Sequence, residues 1–244
     1  KKEIERMKTD IERVKNIATM FLYMPIRETK FSPMIVDHPY FESAYNVDTV
    51  KNEDKQSGTK IVNILEDMEA LEHIRQRIRG SIAKAKRLED IEGIIRKNYK
   101  LAFLKYAGPY MSDEDKGRFL RRNWSLIESP SGDPNLPRMA LVKIFKAAGY
   151  GAVMDEEDRA DLEELPDRVK IYRGVTEYNQ NMVKGLSWTL DRKVAEWFAH
   201  RFMSKGHVYA ATILKKDILA YYDGRNEQEV VVDFRRLEDI ELLH

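Results

Sequence analysis

The chain has no cysteine among its 244 residues, which excludes disulfides, a thiol nucleophile and any thiolate metal site. That composition fits a reducing cytoplasm, and a cytoplasmic location is the expectation, although a cysteine-free chain is also compatible with secretion. No apolar run is long enough to span a bilayer. Residues 1–20 alternate charge with apolar residues and lack the continuous apolar stretch of a signal peptide, so no membrane association is expected. The histidines His38, His73, His200, His207 and His244 are scattered without metal-ligand spacing, and no metal is expected. No Gly-x-Gly-x-x-Gly or phosphate-loop pattern occurs, which argues against a Rossmann or kinase-like use of a nucleotide. Internal repeats and low-complexity tracts are absent as well.

What remains is a composition able to bury a core, with 43% hydrophobic and 34% charged residues. The length suits one catalytic domain with a helical extension. A net charge of +1 conceals an uneven distribution. Between Arg75 and Lys105 ten basic residues stand against three acids, and between Asp155 and Asp167 eight acids stand against Arg159. The basic segment is a candidate face for nucleic acid or an acidic partner, and the plain alternative is a solvated helix face, paired or not with the acidic stretch.

Periodicity divides the chain. Ile4, Met7, Ile11, Val14, Ala18 and Phe21 recur at spacings of three and four, the seam of a heptad-like helix that Pro25 stops. Residues 26–58 read as an irregular connection. A second helix is expected from about Lys60, with Ile61, Ile64, Leu65, Met68, Leu71, Ile74, Ile78 and Ile82 on one face, and a third from Leu88 to about Tyr106. These would form a small bundle, with a seam left free for a partner protein as the alternative. Helices are expected after Ser112, from Pro137 to Gly149, and from Asp155 to Leu165. From Arg168 short apolar runs take over: Val169–Val175, Gly185–Leu190, Val208–Leu214, Ile218–Tyr221 and Glu229–Phe234, interrupted by one helix from Arg192 to Phe202 that Thr189 or Asp191 would cap. The fold class is therefore α+β, with a helical N-terminal region over 1–108 and a second domain over 109–244.

Three patches in that second domain carry polar residues in a fixed order. They are Tyr172-Arg173-Gly174, then Ser187-Trp188-Thr189, then Glu227-Gln228-Glu229 leading into Val230, Val231 and Val232. Taken singly, Arg173 is an ordinary strand-end cation, Ser187 and Thr189 are strand or cap residues, and the two glutamates are an edge pair facing water. Their order and spacing, with the helix Val194-Ala195-Glu196-Trp197-Phe198-Ala199 between the second and third, make the combination specific.

With these motifs the chain resembles the mono-ADP-ribosyltransferases of the arginine-serine-glutamate class, the group of cholera-type and iota-type bacterial toxins and vertebrate arginine-specific ecto-transferases. The resemblance covers about Arg168 to the C-terminus and implies a split β-sheet sandwich with flanking helices. It implies NAD as substrate, with Arg173 on the diphosphate, Ser187 orienting the catalytic Glu229 at the ribose, and Glu227 orienting the acceptor. Gly174, Trp188, Thr189 and Phe198 join Arg173, Ser187 and Glu229 as expected NAD-contacting residues. The chain departs from the family's Ser-Thr-Ser strand at Trp188 and Thr189, and the turn Asp223-Gly224-Arg225-Asn226 is short, leaving Tyr221 and Tyr222 as the nearest aromatics to read an acceptor.

Those residue types fit the chemistry. Breaking the nicotinamide–ribose bond develops positive charge on the ribose, which a carboxylate stabilises, and a guanidinium grips phosphate oxygens through paired hydrogen bonds. The resulting expectation is a bacterial or phage toxin or effector that transfers ADP-ribose to a macromolecular acceptor, protein arginine or a nucleic-acid base. The N-terminal helices would bind the target or an antitoxin. An NAD glycohydrolase is the neighbouring enzymatic reading, and a noncatalytic module recruiting protein or nucleic acid is the alternative from another class.

Overall fold

The computed structural model describes residues 7–51, 57–203 and 205–243. The chain forms two compact units, Lys1–Ser112 and Asp113–His244.

The first unit mixes helices with two small sheets. Its elements are α1 (Ile11–Leu22), β1 (Arg27–Thr29), β2 (Ser32–Asp37), β3 (Tyr45–Lys51), β4 (Ser57–Asn63), α2 (Met68–Lys84), α3 (Leu88–Glu92) and α4 (Lys100–Ala107). Helix α1 starts at Asp10, whose carboxylate accepts from the Arg13 amide, and buries Val14, Ala18, Phe21 and Leu22 against α2 and α4. The seam is thus filled within the unit from Val14 to Phe21; Ile11 is half-buried, Met7 lies before the helix and is exposed, and Ile4 is outside the described residues.

The N-terminal region is not all-helical, and the described residues of 26–58 carry β1, β2, β3 and the start of β4 in place of the expected irregular connection. β1 pairs with β2, and β3 with β4 in an unbroken antiparallel register that sets Val47 opposite Ile61. The apolar residues of β4 satisfy a helical period only by coincidence with those that follow. Ile61 is 72% exposed on the ribbon, and α2 begins seven residues later, where Asp67 accepts from the Ala70 amide. The expected third helix is broken as well: α3 ends at Gly93, and a 3-10 turn at Lys97–Tyr99 precedes α4. Much of the basic segment is used internally. Arg77 donates to the Val47 carbonyl and the Thr49 hydroxyl, Arg96 to the Val36 and Phe41 carbonyls, and buried Lys100 to the Glu92 carbonyl.

The second unit contains α5 (Asp113–Asn123), α6 (Arg138–Ala148), α7 (Tyr150–Val153), α8 (Glu156–Glu164), β5 (Arg168–Val175), β6 (Ser187–Thr189), α9 (Arg192–His200), β7 (His207–Leu214), β8 (Ile218–Tyr222), β9 (Glu229–Val232) and β10 (Glu238–Leu243). The α+β class holds. The strands form one antiparallel sheet in the order β10-β7-β5-β6-β9-β8. β5 and β7 pair along their full length, and β9 lies between β6 and β8, but β5 meets β6 through the single pair Tyr172↔Thr189. The sheet is therefore two three-stranded halves joined at one point. Val230, Val231 and Val232 of β9 are all fully buried, each contributing about 1.5–3 kcal/mol of transfer free energy.

Helix α9 lies on β5 at Gly174. A Cβ there would stand 2.1 Å from the Ala195 carbonyl oxygen and 2.5 Å from the Ala199 nitrogen, so the helix backbone occupies the space a side chain would need. β10 was not expected from sequence; it pairs with β7 through an irregular register, and Asp239 takes a positive φ.

Candidate active site

The three sequence patches meet where the two halves of the sheet join. Adjacent strands bring them there: Arg173 is on β5, Ser187 and Thr189 on β6, and Glu229 at the start of β9, directly opposite Thr189. Because Ser187 and Thr189 are two apart on one strand, they share its face, and Ser187 stands diagonal to Glu229.

Local hydrogen bonds fix the second and third patches to each other. The Thr189 hydroxyl donates to the Glu227 carbonyl at 2.6 Å and accepts from the Asp191 amide at 3.0 Å. Asp191 caps α9 through the Lys193 amide at 2.7 Å, so both expected capping residues act at that turn. The Leu190 amide donates to the Gln228 carbonyl, and the Val232 amide to the Leu186 carbonyl. Glu227 does not continue the strand. Gln228 has φ 44° and its amide is held by the Asp223 carboxylate at 3.0 Å. An extended segment would set Glu227 and Glu229 on one face, and the turn at Gln228 removes that arrangement; burial raises the Glu229 pKa and the Glu227 charge adds to it.

The Arg173 guanidinium is half-buried and donates through Nη1 to the Ser187 carbonyl, while its Nε has no partner. It lies flat against Gly185: a Cβ on that glycine would be 2.4 Å from Cζ and 2.5 Å from Nη2. Burial lowers the Arg173 pKa to about 10, with Glu229 opposing and the Arg138 charge reinforcing that shift. The group stays protonated at neutral pH.

Glu229 is near enough for its charge to act on this cation. Its Oε1 accepts from the Trp124 indole Nε1 at 2.8 Å, and its carboxylate also accepts from the Ser187 side chain. Burial raises its pKa above the ordinary glutamate value; the Ser187 and Trp124 hydrogen bonds and the Arg173 charge hold it down, and Glu227 pushes it up. The Tyr222 phenol, whose hydroxyl donates to the Val153 carbonyl at 2.9 Å, is raised well above its usual range by burial and then by the Glu229 charge.

Several expected NAD contacts have other occupations. Trp188 is 2% exposed with its indole donating to the Gly185 carbonyl at 3.1 Å, and Thr189 is 5% exposed with its hydroxyl engaged as above. Both act on the site by the positions they impose on the backbone. Gly174 is covered by α9, and Phe198 is half-buried on that helix, edge-on to Trp197 at 4.9 Å. Tyr221 is buried, which removes it as an acceptor-reading aromatic, and the Tyr222 hydroxyl is already bonded.

Sequence reasoning missed three neighbours of the constellation. Trp124 reads as one more apolar residue of a helix face, although a buried indole N–H needs an acceptor. Arg138, the first residue of α6, donates to the Lys184 carbonyl and lies 4.6 Å from the Phe234 ring centroid. Gly185 carries no signal that its missing side chain makes room for Arg173. Two surface depressions of about 390 and 300 Å³ sit elsewhere, around Lys215 and Lys216 and around Asp217 and Arg236, and include none of these residues.

Among the described residues no group of three or more His, Asp or Glu could hold a metal ion, and no helix is long and apolar enough to cross a membrane. Comparison with protein-family models, with curated proteins and with solved structures finds no match to this chain.

Proposed function

We propose that the second unit is an NAD-dependent mono-ADP-ribosyltransferase of the arginine-serine-glutamate class. The observation that carries this reading is the convergence of Arg173, Ser187 and Glu229 from three neighbouring strands, with the Glu229 carboxylate held by Ser187. The one-pair junction between β5 and β6 supports the finer reading of the sheet as the split sandwich of that class.

The chain's own groups suit each step. Arg173, partly desolvated and with Nε unpartnered, is a cation in want of an anion, and the NAD diphosphate supplies one. When the bond between ribose C1′ and the nicotinamide nitrogen breaks, its electron pair leaves with neutral nicotinamide and positive charge develops on the ribose. Glu229, in its ionised form and held by Ser187 and Trp124, would stabilise the charge where it appears. A nucleophile then bonds to C1′, and Glu227, just before β9 and close enough to act on Glu229, would orient it and take up the proton it loses. The acceptor is a protein arginine or a nucleic-acid base; the family resemblance with two glutamates favours arginine, and the internal use of Arg77, Arg96 and Lys100 removes part of the basic face that would favour nucleic acid. A toxin or effector role in the cytoplasm, with the first unit engaging a target or antitoxin, belongs to the same proposal.

The test is nicotinamide release from NAD, followed by incubation of labelled NAD with cell lysate and separate protease and nuclease digestion. Glu229→Gln is expected to reduce nicotinamide release by about 10²-fold or more while leaving the fold intact. Label removed only by nuclease would redirect the acceptor to nucleic acid, and release without transfer would make the enzyme a glycohydrolase. A wild-type chain that neither binds NAD nor releases nicotinamide would leave the noncatalytic module as the reading.

A further inference from the structure

We infer that Trp124 is a positioning residue for this reaction: its indole N–H clamps the Glu229 carboxylate in the orientation that faces the ribose. The inference rests on the transferase reading for its catalytic meaning and on geometry for its existence. Trp124 opens the 3-10 turn Trp124–Leu126 that follows α5, and its ring is 2% exposed, edge-on to Phe145 at 5.0 Å and 83°. Held in that way, the ring cannot follow a carboxylate that moves. Its Nε1 lies 2.8 Å from Oε1 of a residue 105 positions later in the chain. An indole has one donor and no acceptor, so it bonds best to the ionised carboxylate.

The arrangement solves a specific difficulty. A glutamate at the mouth of a strand carries three rotatable side-chain bonds, and the burial that strengthens its field also favours its protonated, inactive form. Two side-chain donors from different elements, Ser187 on β6 and Trp124 from the helical layer, fix its rotamer and favour its charge. Ser187 is legible in the sequence motif; the second donor is supplied only by the fold.

Labelling the indole nitrogens gives a direct test, because the chain has only three tryptophans. Trp188 bonds a backbone carbonyl and Trp197 is exposed, so neither should report Glu229. The Trp124 indole proton, assigned by its loss in Trp124→Phe, is expected to lie downfield and to move upfield in one titration step as Glu229 protonates. That step should vanish in Glu229→Gln. In activity, Trp124→Phe is expected to lower kcat for nicotinamide release about 10- to 100-fold with little change in KM for NAD. The acid limb of its pH profile should shift upward, since a donor that favours the charged form has been removed. If Trp124→Phe fails to fold, the wild type and Glu229→Gln still decide the matter, with the indole signal assigned by elimination against the Trp188 and Trp197 variants. A Trp124 signal without the step, or one whose step survives Glu229→Gln, overturns the clamp even if the enzyme cleaves NAD. A step in a protein that releases no nicotinamide overturns the positioning role together with the transferase reading.

Discussion

Gly185→Ala tests whether the position of Arg173, and not merely its presence, carries NAD binding. The added methyl would sit 2.4 Å from Cζ, 2.5 Å from Nη2 and 2.8 Å from Nη1 of Arg173. Ordinary carbon contacts are about 3.5–4.0 Å, so the guanidinium must withdraw by roughly 1 Å or more. The obstructing group is the far end of a long side chain, and the arginine yields before the backbone does. The cost in stability is therefore that of modest overpacking, about 1–3 kcal/mol. Function should suffer more. Withdrawal removes the Nη1 bond to the Ser187 carbonyl that orients the fork, and a misplacement of about 1 Å commonly costs about 10²-fold. Calorimetric titration with NAD should give a Kd raised by about that factor, and urea unfolding should show the fold retained. The decisive measurement is a double-mutant cycle with Arg173→Ala. If the methyl acts through the guanidinium, Gly185→Ala costs almost nothing further in the Arg173→Ala background. Equal losses in both backgrounds, or wild-type affinity in the single variant, would refute the reasoning.

The parts of the second unit that sequence could anticipate are those that local pattern dictates. β5, β7 and β8 follow the apolar runs that predict them, α9 follows Val194, Ala195, Phe198 and Ala199, and Asp191 caps it as a residue of its type should. The order of the patches was legible for the same reason, since each is a few consecutive residues. What could not be read are pairings between distant positions whose partners look unremarkable alone. Trp124 meets Glu229 across 105 residues, and Gly185 reveals its purpose only when Arg173 is laid against it.

The failures in the first unit have a related cause. Ile61, Ile64, Leu65 and Met68 match a helical period, but β4 obtains hydrogen-bond partners for its backbone from β3, which a one-dimensional period cannot see. Asp67, a strong capping residue inside the expected helix, was the local sign that the helix starts later. At the site, the segment from Glu227 to Glu229 is not extended, because the Asp223 carboxylate holds the Gln228 amide in the turn before β9.

The kcat profile for nicotinamide release should fall on the acid side above the ordinary glutamate range of about 4.3, because burial raises Glu229 and only its ionised form is useful; an inflection at the ordinary value would contradict the site as described. Glu227→Gln should lower transfer to the acceptor more than NAD hydrolysis and move that acid limb downward, because the Glu227 charge raises the Glu229 pKa; equal loss of both activities with no movement of the limb would remove Glu227 from its acceptor role. A last expectation concerns stability. Asp233, fully buried just after β9, accepts from Arg235 at 2.8 and 2.7 Å and from Lys146 of α6 at 2.6 Å, and the Arg235 hydrogen bonds, then Lys146, hold its carboxyl far below the usual range. Both cations are about half exposed, so solvent screening limits what Asp233→Asn costs to about 2 kcal/mol at pH 7, read from urea midpoints. A depressed carboxyl contributes fully above its unfolded pKa of about 3.9 and loses about 1.4 kcal/mol per pH unit as pH falls below that value toward the folded pKa. The gap between wild type and variant should therefore narrow by about 1 kcal/mol between pH 7 and pH 3. A gap that stays constant or widens would mean that the two cations do not hold Asp233 ionised in the folded chain.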